Sequence, residues 1–217
     1  MRYWIKTHWL VRKLFPSFVW NIPSSDTVYL TFDDGPTPDV TPWVLDQLEA
    51  HNAKATFFCI GDCISKRPEL FRRLIDGGHS IGNHTFHHLD GWKTPHDQYM
   101  DDVEQCQQKI KEFVPAGTRL LRPPYGKLKH SQVKKLRAMG YKIIMWDVLS
   151  ADFDTALSPE QCTANVIKNI EPGSVVIFHD SVKAWPRLKE ALPATLQRIK
   201  EKGWKCEPIR FAPEPGR

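Results

Sequence analysis

Short apolar, β-branched runs alternate along this chain with stretches whose apolar residues recur every three or four positions. The runs are Val28–Phe32, Ala55–Ile60, His79–Gly82, Arg119–Leu121, Lys142–Trp146, Ser174–Phe178 and, more weakly, Trp204–Ile209. Between them, Val40, Val44 and Leu48 fall on one helical face, as do Leu70, Leu74 and Ile75. Met100, Val103, Ile110 and Phe113 form another stripe, and Leu188, Leu192, Leu196 and Ile199 a fourth. Ser158–Gln161 reads Ser-Pro-Glu-Gln, a Ser N-cap with Pro at the first helical position and Gln positioned for a capping box. Gly140 and Gly203 stand where helices should stop. Strand and helix alternating in this way predict a parallel sheet with helical crossovers, either doubly wound or closed into a barrel. About seven such units fit the length, and no Pro/Gly/Ser-rich linker divides the chain. One domain is expected.

The unusual polar residues collect just past the predicted strand ends. Asp33 and Asp34 follow the first strand, His84 and His88 the third, and Arg122 and Tyr125 the fourth. Asp147 and Asp152 follow the fifth, and His179 and Asp180 the sixth. In a parallel barrel these ends share one face, the face that carries active sites. His84 and His88 are four apart, so a helical turn would point them the same way. With Asp34 they make a donor set suited to Zn²⁺ or a similar divalent ion, with positions left open. Adjacent strand residues point to opposite faces, so Asp33 and Asp34 can share a site only if the strand stops there. Gly35-Pro36 is expected to stop it, leaving Asp34 for the metal and Asp33 as a base.

Bulk properties narrow the classes. The 217 residues are 41% hydrophobic and 25% charged, ordinary for a globular protein. The formal net charge of +5 is spread along the chain with no basic arm, which argues against nucleic acid. The five cysteines, Cys59, Cys63, Cys106, Cys162 and Cys206, form no CxxC pair and lean toward a reducing, cytoplasmic setting. Residues 1–20 contain Arg2, Lys6, Arg12 and Lys13, so they lack the apolar core of a secretory signal, and non-classical export is the other route considered. No later segment matches a membrane span. Residues 1–26 are read as a basic aromatic segment packed on the fold, with Trp4, Trp9 and Phe15 buried. An interfacial helix touching a membrane surface is the competing reading. A monomer is expected.

Thr31–Pro36 (TFDDGP), His84–His88 (HTFHH), Arg122–Gly126 (RPPYG), Trp146–Asp152 and Ile177–Asp180 (IFHD) occur in this order. With these motifs the chain resembles the NodB-homology polysaccharide deacetylases, carbohydrate esterase family 4, over roughly Thr27 to Trp204. The resemblance implies a distorted (β/α)7 barrel over residues 27–217. It also implies metal-dependent removal of acetyl groups from N-acetylated sugars. On that likeness Asp33 is the catalytic base, and Asp34, His84 and His88 bind the metal, Zn²⁺ first with Co²⁺ or Ni²⁺ as alternatives. Arg122 orients Asp33, the backbone N–H of Tyr125 stabilises the oxyanion, and His179, tuned by Asp152, is the general acid. Trp92, Tyr125, Trp146 and Trp185 are candidate sugar contacts. The fourth motif departs from the usual Asp-x-x-Asp-Trp form: Leu149 stands at the first aspartate and Phe153 at the tryptophan, while Asp147 has no counterpart. An O-acetyl esterase, a small-amide hydrolase and a non-catalytic glycan-binding module are the competing functions.

Overall fold

The computed structural model describes residues 4–211; the outer ends of both sequence-predicted segments lie outside the described residues. In chain order the elements are α1 (Trp9–Leu14), β1 (Phe18–Val19), β2 (Thr27–Asp33), α2 (Val40–Ala50), β3 (Thr56–Cys59), α3 (Gly61–Lys66), α4 (Pro68–Asp76) and β4 (Ser80–Asn83). There follow α5 (His96–Lys111), β5 (Leu120–Leu121), a 3₁₀ turn (Pro124–Gly126), α6 (His130–Ala138), β6 (Lys142–Ile144) and β7 (Val148–Leu149). Finally come α7 (Pro159–Ile167), β8 (Val175–His179), α8 (Trp185–Glu201) and β9 (Lys205–Cys206). The strands run β1-β6-β5-β4-β3-β2-β8-β7, all paired in parallel, with β9 added to the start of β2. This curled sheet wrapped by helices is a distorted (β/α)7 barrel in a single α/β domain.

The local rules behind the sequence reading hold where they were specific. Ser158 Oγ accepts the Gln161 N–H and Gln161 Oε1 accepts the Ser158 N–H, closing the capping box on α7. The stripes of α2, α4 and α8 enter one core with β2, β3 and β8, including Val44, Leu48, Leu74, Leu192 and Phe32. Because both faces of a parallel sheet are covered, β3 is buried at every position, as its unbroken apolar run requires.

Two expectations change. The run Lys142–Trp146 ends as a strand at Ile144, and a separate β7 follows, so Asp147 lies at the foot of β7 rather than on the rim. Its N–H bonds Val175 O at the start of β8, four residues before His179. The second change concerns the N-terminal segment. Trp4, Trp9 and Phe15 are 64%, 55% and 49% exposed, not buried. The segment is held by its backbone and its cations instead. Lys6 bridges Val148 antiparallel, Leu149 N–H donates to Ile5 O and Thr7 N–H to Asp147 O, both at 2.8 Å. Further on, β1 pairs with β6, so residues 5–19 lie across the seam where β6 and β7 do not pair with each other. Of its described aromatics, Trp20 is the buried one, donating Nε1–H to Phe15 O.

Candidate active site

Register builds the rim. Asp33 is the in-register partner of His179 on β8 and of Phe58 on β3; Asn83 pairs with both Cys59 and Leu121. His84 and Arg122 are therefore each one step past a paired strand end, beside Asp33. Asp34 follows with φ +80°, a left-handed conformation uncommon outside glycine, and this turns its side chain to the same site. The next residue, Gly35, has no room for a side chain: a Cβ there would collide with the Asp180 carboxylate. Asp180 holds this corner, accepting the Gly35 N–H at 3.1 Å and the Thr41 hydroxyl. Burial is the main influence that pushes the Asp180 carboxyl up to about 8; Thr41 opposes it, and the charge of Asp34 adds to it.

The histidine pair is not on a helix. His84 to His88 form an irregular loop in which Thr85 and His88 have φ near +60°. Two side chains stabilise it: Asn83 Oδ1 accepts the Thr85 N–H, and Asp102 of α5 accepts the N–H groups of Phe86 and His87 and holds His87 Nδ1 at 2.6 Å. His87 is thereby turned aside, and His84 and His88 converge with ring centroids 5.0 Å apart. Asp102 escaped the sequence reading. The available signal was an acid on the buried side of α5, next to Val103.

Asp34, His84 and His88 form a group whose ligand atoms all lie within 4.8 Å of one another, among the described residues a possible metal site. Asp34 Oδ1 is buried without a hydrogen bond, 3.3 Å from His88 Nε2 and 3.7 Å from His84 Nε2. Such an orphaned carboxylate oxygen facing two imidazoles fits a cation between them. His84 Nδ1–H donates to Arg122 O at 2.7 Å, which leaves Nε2 as the lone-pair nitrogen. Burial pushes the His84 imidazole down to about 4; Asp33 opposes this and His88 adds to it. Burial alone would raise the Asp34 carboxyl, but the imidazoles of His88, His179 and His84 outweigh it and hold it well below the usual carboxylate range.

Two further pairs flank this cluster. Arg122, fully buried, donates Nη1–H to Asp33 Oδ1 and to Thr31 Oγ1, each at 2.7 Å, while Nη2 and Nε reach Met145 O and Ile144 O. Its guanidinium lies over the Phe58 ring at 4.2 Å. Across the site, Asp152 accepts both the His179 backbone N–H and Nδ1–H at 2.8 Å. Burial disfavours charge on His179, yet Asp152, then Asp34 and Asp33, raise it to about 9. Arg187 of α8 donates Nε–H to Asp152 O and so anchors that loop, a contact the sequence did not suggest.

A cavity of about 750 Å³ contains Asp33, Asp34, His84, His88, Tyr125, Trp146, Leu149, Phe153 and His179 along its lining. That volume is within the usual range for small-molecule sites. Tyr125 sits in a turn of two successive left-handed residues, φ +59° and +69° at Gly126. The turn's own bonds use the N–H groups of Gly126 and Lys127, not that of Tyr125. Phe153 meets the His179 ring edge-on at 5.1 Å. Two candidate sugar contacts lie outside this lining. Trp92 is 62% exposed and ties Nε1–H to Leu128 O, and Trp185 packs edge-on against Trp43 at 4.9 Å.

Fold and site together define a class, the α/β barrels that gather carboxylates and imidazoles on the C-terminal rim of the sheet. Residues 21–144 match the polysaccharide deacetylase family model. A peptidoglycan-N-acetylglucosamine deacetylase of Bacillus cereus is 34% identical over 81% of this chain, which spans 64% of that relative's length. A chitooligosaccharide deacetylase of Bradyrhizobium is 35% identical over 74% of this chain and 73% of its own. Among solved structures, the Bc1960 peptidoglycan N-acetylglucosamine deacetylase superposes with a TM-score of 0.85 at 30% identity, covering 94% of this chain and 95% of that one. The chain belongs to the polysaccharide deacetylase family.

Proposed function

We propose that this protein hydrolyses the N-acetyl groups of amino-sugar residues in a glycan, using a divalent cation, Zn²⁺ first, held by Asp34, His84 and His88. The observation that carries this reading is the opposition of two differently prepared pairs about that cluster, Asp33 with Arg122 and His179 with Asp152. A bound cation would supply an acidified water and polarise the acetyl carbonyl. Asp33 has Oδ1 taken by Arg122, so Oδ2 is the oxygen that removes the water's proton. His179 has Nδ1–H held by Asp152, so its other ring nitrogen donates a proton to the departing amine. The Tyr125 N–H is assigned to the oxyanion, a contact typically worth about 3–4 kcal/mol. Tyr125, Trp146, Leu149 and Phe153 give the cavity an apolar wall for the sugar and its acetyl group. The five cysteines are free, which suits a reducing compartment.

Acetate release measured over N-acetylglucosamine oligomers, peptidoglycan fragments and acetylated xylan tests the reaction and its glycan class together. Release from the amino-sugar substrates, abolished by chelation and restored by Zn²⁺, Co²⁺ or Ni²⁺, is expected. Full turnover by metal-free protein would sink the mechanism. A His179→Ala penalty much larger on amides than on esters is expected, because an amine is the poorer leaving group; equal penalties would favour an O-acetyl esterase.

A further inference from the structure

A second cavity of about 350 Å³ adjoins the catalytic one. Tyr125, Gly126, Trp146 and Leu149 line both, so the two share a wall. Its far wall is supplied by the N-terminal segment, with Trp4, Thr7 and Val11, backed by Trp20. Trp4 and Trp20 precede the residues that match the family model. We propose that this cavity is a second sugar subsite, in which Trp4 and Trp146 receive the apolar faces of a neutral N-acetylated sugar next to the residue being deacetylated.

Three observations carry the assignment. Among the described residues, none lining the second cavity is charged, which suits a neutral pyranose and not an anion. Four of its lining side chains, Trp4, Trp20, Tyr125 and Trp146, are aromatic, and flat apolar rings suit the C–H faces of sugars. The segment bearing Trp4 is also clasped in place. Asp147, buried, takes ion pairs from Lys6 and Arg12 and a hydrogen bond from Ser174 Oγ at 2.7 Å. Thr7 adds backbone and hydroxyl bonds to Asp147 O and Trp146 O, each 2.8 Å, directly behind the shared tryptophan. The antiparallel pairing of Lys6 with Val148 and of Ile5 O with Leu149 carries Trp4 toward the rim end of β7. Exposed aromatics scattered singly are ordinary, but one that lines an aromatic cavity beside the catalytic one is not scattered. Asp147 and Leu149, which break the fourth-motif pattern, are thus the residues to which this segment is tied.

The sugar class rests on the deacetylase reading, so the test separates the two. Binding of the N-acetylglucosamine monomer, dimer and tetramer to the full chain is measured by calorimetry, with acetate release followed in parallel. Trp4→Ala should lower the tetramer-to-monomer affinity ratio roughly five- to tenfold, and Trp4→Phe should restore most of it. Trp9→Ala, on the same exposed segment but outside the cavity, should leave the ratio unchanged. An unchanged ratio in Trp4→Ala, an equal loss in Trp9→Ala, or no tetramer binding by the unaltered protein each overturns the subsite. Tetramer binding that depends on Trp4 without any acetate release would leave the subsite standing and remove the deacetylase reading. Loss of co-sedimentation with phosphatidylglycerol–phosphatidylcholine vesicles in Trp4→Ala, with the sugar ratio intact, would make the segment a membrane contact instead.

Discussion

Asp33 and Asp147 are both buried, and an arginine pairs with each, yet their surroundings differ in one respect. Both oxygens of Asp147 are consumed, Oδ1 by Arg12 and Oδ2 by Lys6 and Ser174. Asp33 gives Oδ1 to Arg122 and turns Oδ2 toward the cavity, 3.9 Å from His84 Nε2. The first arrangement is a clasp that fastens the chain's beginning across the sheet seam. The second is a carboxylate held in position with one oxygen free to act. Charge pairing alone does not separate structure from chemistry; the unfilled side of the pair does.

The comparison breaks most visibly in kinetics. Asp33→Asn and His179→Ala should each lose about 10²- to 10⁴-fold in acetate release while keeping the native circular-dichroism spectrum. Asp147→Asn should not approach that loss on a short substrate. Comparable losses at Asp33 and Asp147 would erase the distinction. His84→Ala should co-purify with little or no metal by elemental analysis, whereas Asp147→Asn should retain it.

Stability sharpens the same contrast. Arg122→Met leaves Asp33 buried without its cation, and breaking such a pair typically costs about 3–5 kcal/mol; urea unfolding of metal-free protein measures it. The His179–Asp152 pair adds a pH signature. His179 is raised from 6.5 to about 9 in the folded state. Its contribution is therefore fully present below pH 6.5 and is lost as the pH rises through about 9. Metal-free protein should accordingly exceed Asp152→Asn in stability at pH 6 by more than at pH 9.5; a pH-independent gap would contradict the pairing. The smallest effect is expected at the clasp. Lys6 and Arg12 keep contact with solvent, so Asp147→Asn should cost about 1–3 kcal/mol. The same variant should expose the first twenty residues to limited proteolysis.

Much of the rim was legible because parallel topology converts positions in sequence into positions in space. A residue just past a buried parallel strand has one place to go, so the topology alone gathers Asp33, His84, Arg122 and His179. The motif spacing also carried the Arg122–Asp33 and Asp152–His179 partnerships through family likeness. Short β7 was missed because two residues carry no periodicity to detect. The helical reading of His84–His88 failed because i, i+4 spacing cannot distinguish a helical turn from a loop that Asp102 and Asn83 fold back on itself.

The sequence by itself determined the alternation of strand and helix, the capping of α7, the shared face of the candidate ligands and the family. These follow from periodicity, local hydrogen bonding and motif order, which are properties of neighbours along the chain. Tertiary structure alone decided that Asp34 turns through a left-handed backbone into the site and that Trp4, Trp9 and Phe15 stay exposed. It also decided that Asp147 fastens the N-terminal segment instead of lying on the rim. Each of these depends on a partner far away in sequence, Asp180 for the Gly35 corner and Val148 for Lys6, and local preference carries no information about a contact made across the barrel.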